Sequence, residues 1–256
     1  MSRVRLLRDG AVGRIILARP ARKNALDRQM ADELFASLAQ FESDPVCRVI
    51  HLGAEGEDFC VGTDLDTLEQ SLEAGSDEHR ADAEATGRVL LAIRALMKPV
   101  VCTVRGRELG SGAGLATACD VVLAHEGAEF GYPEVRLGHV SAMEMTMLRR
   151  AVGEKHAADL VLTGRIISAD EADRIGLASR VVPAATFDDD INATLEQVSR
   201  SPATSLALTK WLFYKLDALS FEDGIAAGVV TNVEARATED FKASVRRSTQ
   251  RKPRPE

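Results

Sequence analysis

Residues Gly110-Ser111-Gly112-Ala113-Gly114-Leu115-Ala116 lie between the apolar run Pro99-Val100-Val101-Cys102-Thr103-Val104 and Cys119-Asp120-Val121-Val122. Glycines this close together let a backbone turn sharply and approach a ligand, at an entropic cost that an ordinary loop does not need. They fall where a strand ends and a helix begins, so amide N–H groups and the helix dipole can face one electron-rich atom. That atom is either a phosphate oxygen or a developing oxyanion. Taken alone, the same glycines describe a tight turn with close helix packing equally well.

The phosphate readings fail. A P-loop needs a lysine directly after its last glycine, and none follows here. A dinucleotide fingerprint needs Gly-x-Gly-x-x-Gly and an acidic residue after a second strand, whereas Asp120 comes before the next apolar run. A second turn of similar character lies at Asp58-Phe59-Cys60-Val61-Gly62-Thr63-Asp64-Leu65, after the strand-like run Arg48-Val49-Ile50-His51-Leu52. Two such turns can each lend one backbone N–H to a shared carbonyl oxygen.

These motifs, with Arg19-Pro20-Ala21-Arg22-Lys23-Asn24-Ala25-Leu26, Lys98-Pro99-Val100-Val101, Phe130-Gly131-Tyr132-Pro133-Glu134-Val135-Arg136-Leu137-Gly138, Leu162-Thr163-Gly164-Arg165-Ile166-Ile167-Ser168-Ala169 and Gly176-Leu177-Ala178, follow one another in a familiar order. The chain resembles the crotonase (enoyl-CoA hydratase/isomerase) superfamily. The resemblance implies an α/β fold, a crotonase-type spiral of ββα units over residues 1–195 with a helical C-terminal trimerisation region over 196–256. It implies an acyl-CoA thioester as substrate and a homotrimer or hexamer as the assembly. It implies no separate cofactor, coenzyme A being part of the substrate, and no metal.

By alignment of the motifs, the two amides facing the thioester oxygen belong to Cys60 and Ser111, while Ala25, Gly62, Asp64, Leu65, Gly112 and Gly114 line the substrate site. Ser111 stands where many members have glycine; its N–H survives, but its side chain narrows the pocket. Glu134 matches the main acid/base glutamate. A lone glutamate after a proline is ordinarily a surface charge, and the surrounding motif reverses that preference. A carboxylate near the C2–C3 bond of a thioester can move one proton when desolvation raises its pKa.

Gly114 is the departure. Typical two-glutamate hydratases carry their other catalytic glutamate at this position. Hydration with a single glutamate requires water to be held by other groups, whereas moving a double bond requires only one base. The gap therefore speaks for an isomerase, while the Phe130–Gly138 segment together with Leu148-Arg149-Arg150-Ala151-Val152-Gly153-Glu154-Lys155 resembles a hydratase branch. The reading is a 2-enoyl-CoA hydratase; the alternatives are an isomerase using Glu134 alone and a non-catalytic acyl-CoA binder. Glu144, in His139-Val140-Ser141-Ala142-Met143-Glu144-Met145, is a candidate second carboxylate, although a first-turn charge favoured by the helix dipole explains it as well. His139 reads as packed or solvated rather than catalytic.

Composition agrees. The 256 residues suffice for one large α/β domain, and 45% hydrophobic with 28% charged residues is ordinary for a soluble globule. A net charge of −7 argues against a nucleic-acid or anionic-membrane surface. The basic tail Arg246, Arg247, Arg251, Lys252 and Arg254 reads as a frayed, solvated terminus. Four cysteines, Cys47, Cys60, Cys102 and Cys119, lack metal-ligand spacing and fit a reducing compartment. The start Met1-Ser2-Arg3-Val4-Arg5 opens no signal peptide, and no apolar run approaches the roughly 18 residues of a membrane span. The expectation is a cytoplasmic protein.

The local signals predict the elements that must position these residues. Asp9-Gly10 predicts a hairpin. Asp27 caps a helix with Met30, Leu34, Leu38 and Phe41 on its apolar face. Residues 70–88, polar and with Gly75-Ser76-Asp77 in their midst, read as a mobile segment. Ser168-Ala169-Asp170-Glu171 is a capping box closed by Gly176, and the chain after Pro183 reads as helical, with Pro202 starting one helix.

Overall fold

A computed structural model describes residues 2–250; Arg251, Lys252 and Arg254 of the basic tail lie outside the described residues, while Arg246 and Arg247 fall on the last helix. Strands β1 (Val4–Asp9) and β2 (Val12–Leu17) form the expected antiparallel hairpin, turning at Gly10 with φ 55°. Helix α1 (Arg28–Ser43) starts where Asp27 accepts the Met30 amide at 2.8 Å, and it buries Met30, Leu34, Leu38 and Phe41. Strand β3 (Val49–Ala54) then leads to α2 (Leu65–Ser71) and α3 (Ser76–Ala95).

Two repeats of one pattern follow. Strand β4 (Val100–Val104) is succeeded by the short β5 (Arg107–Leu109) and α4 (Ser111–Ala118). Likewise β6 (Val121–His125), β7 (Glu129–Gly131) and α5 (Glu144–Thr163) come in order. In each repeat the first strand joins one sheet and the second joins another, so the chain winds as a spiral of strand–strand–helix turns. The larger sheet runs β1-β2-β3-β4-β6-β9, parallel except at the hairpin, and the smaller runs β5-β7-β8. Strand β8 (Ile166–Ser168) precedes α6 (Ala169–Ile175), which Ser168 caps through the Glu171 amide and Gly176 ends with φ 86°. Strand β9 (Arg180–Val182) closes the edge.

One face of the large sheet carries the main core, where Ile15, Leu17, Ile50, Leu52 and Cys102 pack with Met30, Leu34, Val89, Ile93 and Leu115 from helices. The opposite face holds a smaller cluster, Val12, Val49, Val101 and Leu123, covered by Phe187, Ile191 and Leu195 of α7 (Phe187–Ser199). Residue 195 thus lies within a helix that packs on the sheet. Beyond it run α8 (Ala203–Lys215, after Pro202), α9 (Phe221–Ala237) and α10 (Glu239–Gln250).

The polar stretch 70–88 expected to be mobile is largely helical. Gly75 begins α3, which runs unbroken for 20 residues. Its polar face reaches α1 through Arg28–Asp82 and Arg88–Asp32 pairs, and only Ala85, Val89, Leu90 and Ile93 are buried. A helix that needs one narrow apolar stripe can look like a loop in composition.

Candidate active site

The two glycine turns meet. Cys60 pairs with Glu108 of β5 as a parallel bridge: the Cys60 amide donates to Arg107 O at 3.2 Å, and the Leu109 amide donates to Cys60 O at 2.9 Å. Arg107 fastens the same junction by donating from Nε to Asp58 Oδ1 and from a terminal nitrogen to Oδ2, both at 2.9 Å. Those bonds, led by the guanidinium, hold the Asp58 carboxyl below its ordinary pKa. Asn24 ties in the third loop, its amide donating to Glu55 O and Asp58 O while its oxygen accepts from the Arg19 amide. Leu26 and Thr63 then pair as a further parallel bridge, with the Leu26 amide on Gly62 O and the Asp64 amide on Leu26 O.

This stitching decides which amides are free. Cys60 is fully buried, its N–H is spent on Arg107, and it lines neither chamber of the cleft. The expectation that Cys60 supplies an oxyanion-hole amide is therefore corrected. Among the described residues, the amides of Thr63 and Ser111 enter no hydrogen bond, and their hydroxyls lie 3.2 Å apart. Each sits at the start of a helix: Thr63 precedes Asp64, the cap of α2, and Ser111 is the first residue of α4 after Gly110 at φ 55°. The sequence reading missed Thr63. The available signal was its place between Gly62, with φ 97°, and an Asp followed by a helix.

Thr63, Ser111 and Glu134 border two adjoining chambers, of 770 Å³ and 580 Å³. Ala25, Gly62, Asp64 and Leu65 line the larger one. Asp64 is nearly buried there, held by Arg19 at 2.9 Å and by the Asp66 amide it caps, so its carboxylate shapes the wall rather than reaching into it. Gly112 and Gly114 line neither chamber, which corrects their expected contact with substrate. A Cβ on Gly112 would lie 2.3 Å from Cys60 O, so glycine there permits the close crossing of the two turns.

Glu134 opens the short 3₁₀ turn Pro133–Leu137 that ends at Gly138 in the left-handed region. It is half-buried, and its Oε2 accepts from the buried Ser141 hydroxyl at 2.6 Å. Its Oε1 would stand 2.9 Å from a Cβ on Gly110, placing the carboxylate directly over the glycine turn. Glu144, the first residue of α5, is only 3% exposed and reaches the smaller chamber. Burial, and next to it the charge of Glu134, pushes its carboxyl above the ordinary pKa, against lowering by nearby backbone amides and the Ser111 hydroxyl. His139 is exposed at the rim shared by both chambers. Two carboxyls and two unpaired amides converge on one cleft: the amides can receive charge on a carbonyl oxygen, and the carboxyls can exchange protons with neighbouring carbons.

The whole chain is similar to known proteins. A family model described as enoyl-CoA hydratase/isomerase matches residues 8–254. A Thermus thermophilus protein provisionally named an enoyl-CoA hydratase is 38% identical over 244 residues, covering 95% of this chain and 96% of its own. The crystal structure of a Mycobacterium smegmatis enoyl-CoA hydratase superposes with a TM-score of 0.93 at 29% identity, covering 99% of this chain and 98% of that one. Human enoyl coenzyme A hydratase domain-containing protein 3 gives 0.93 at 26% identity, with 98% of each chain covered.

Proposed function

The chain belongs to the enoyl-CoA hydratase/isomerase family, and we propose that it adds water to a 2-enoyl-CoA to make the 3-hydroxyacyl-CoA. The observation that carries this reading is the pair of unpaired amides, Thr63 and Ser111, at two helix starts beside Glu134. In it, the thioester oxygen accepts both N–H groups. Charge arriving on that oxygen as the enolate forms is then met by dipoles already in place, worth roughly 3–4 kcal/mol for each donor. Glu134 is the acid/base carboxyl beside the acyl carbons, its second oxygen steadied by Ser141.

Coenzyme A arrives as part of the substrate. Arg22 and Lys23 at the open end of the larger chamber suit its phosphates. The reading keeps a homotrimer or hexamer, because α9 exposes Phe221, Ile225, Val229 and Val233 along an apolar face. It also keeps a reducing, cytoplasmic setting, in which four free and buried cysteines are at home. No described helix is long and apolar enough to cross a membrane.

The second reading, an isomerase with Glu134 as sole base, is favoured by one observation: Gly114 brings no carboxylate. Product analysis over a panel of 2-enoyl- and 3-enoyl-CoAs separates the two. Formation of 3-hydroxyacyl-CoA from a 2-enoyl-CoA is the expected result. A protein that only shifts the double bond of a 3-enoyl-CoA is an isomerase, and one that turns over neither class is a binder.

A further inference from the structure

A Cβ on Gly114 would lie 2.6 Å from Glu144 Cγ and 3.4 Å from its Oε1. The space that a side chain at residue 114 would fill is thus already taken, by a carboxyl arriving from α5. Glu134 stands in the same way over Gly110. Gly110 and Gly114 are joined by the Gly114 amide donating to Gly110 O at 3.0 Å, so the two carboxyls stand over residues one helical turn apart. Ser111, with its unpaired amide, lies within the same turn and borders the same smaller chamber as both glutamates.

We propose that Glu144 is the second catalytic carboxyl of this site, reaching from the start of α5 into the space above Gly114 and passing one of the two protons in the addition of water. The inference rests on the hydration reading above. A charge serving only the dipole of α5 is best placed in solvent, where it costs no desolvation; Glu144 is instead buried and turned toward the chamber. Burial and the neighbouring Glu134 favour its protonated form, whereas Glu134 itself is only half-buried and accepts a hydrogen bond from Ser141. Two carboxyls in unlike environments divide into acid and base.

The step balances with no other reactant. The oxygen of water bonds to C3 while Glu134 takes a water proton, and the C2=C3 electron pair moves through C1 onto the thioester oxygen between Thr63 and Ser111. The enolate then collapses, and its C2 takes the proton of Glu144. Glu134 is left protonated and Glu144 ionised, and exchange with solvent resets the pair.

The test starts from a wild type that hydrates a 2-enoyl-CoA. Glu144→Gln keeps the shape and removes the titratable proton, so kcat should fall at least about 100-fold. Affinity for a saturated acyl-CoA should stay within about threefold. A purely structural glutamate would tolerate this change, and kcat within threefold of wild type overturns the proposal. Relocation supplies the second arm. Glu144→Ala frees the space, and adding Gly114→Glu to it should recover at least tenfold of the lost hydration. A folded double variant no better than Glu144→Ala overturns the proposal even if Glu144→Gln fails to fold. A wild type that hydrates nothing overturns the hydration reading and this inference together, whereas a hydrating wild type with an indifferent Glu144→Gln overturns this inference alone.

Discussion

The amide of Cys60 donates to the carbonyl of Arg107 at 3.2 Å, and an amide left without a hydrogen bond in this turn is that of Thr63, three residues along, which serves the thioester oxygen in the proposed function. Cys60 is the seam between two turns and cannot also serve a ligand. Cys60→Ala retains the backbone bond and should leave kcat within about threefold, while Cys60→Pro deletes it and should lower Tm before any question of chemistry arises.

Ser111 allows a cleaner deletion. It is the first residue of α4, the position where proline is best tolerated in a helix, and Gly110 before it is free of a Cβ. Ser111→Pro should therefore fold, lose the N–H, and lose about 100- to 1000-fold in kcat, whereas Ser111→Ala should lose far less. Equal losses in the two variants would assign the effect to the hydroxyl.

Ser141 is buried and donates to Glu134 Oε2 at 2.6 Å. A hydrogen bond to a charged group is worth about 1.5–3 kcal/mol, and it also aims the carboxylate. Ser141→Ala should lower kcat by about tenfold or more with little change in KM, and Ser141→Thr should restore part of it. Steady-state kinetics that showed a change in KM alone would mean that Ser141 shapes the pocket without aiming Glu134.

Much of this was legible in the sequence because it is local. The Asp9-Gly10 hairpin, the Asp27 and Ser168 caps and the glycine turn at 110 each depend on a few adjacent residues. The identity of the free amides was not legible, because it depends on Cys60 meeting Arg107 across the chain. For the same reason Gly112 and Gly114 read as ligand contacts, when one admits Cys60 and the other leaves room for Glu144. Gly114→Glu alone, a natural way to restore a carboxylate pair, now conflicts with Glu144 and should lower stability rather than improve hydration.

Helix α9 leaves Phe221 81% exposed, with Val229 and Val233 near 60% and 64%. An apolar face of this kind is ordinarily covered by a partner. Val229→Asp with Val233→Asp should shift sedimentation toward the monomer, and an unchanged wild-type coefficient that already corresponds to a monomer would remove the trimer reading.

Glu108 lies in the three-residue strand β5, directly before the glycine turn that leads into α4. Its side chain is fully buried and both carboxyl oxygens lack a partner. This glutamate faces the core beside Cys119 and Tyr132. Burial pushes its carboxyl well above the ordinary value of 4.5. The unfolded chain, with the ordinary value, gives up the proton at lower pH than the folded chain does. The stabilising protonated form is thus fully present below about pH 4.5, and its contribution is lost as pH rises through that value toward the folded one. Each pH unit in that window costs about 1.4 kcal/mol. Glu108→Met, similar in volume and without a proton to lose, should raise Tm more at pH 8 than at pH 5. A Tm difference that stays constant across that range would show that Glu108 keeps the same charge folded and unfolded, and that its unpartnered oxygens are met by solvent.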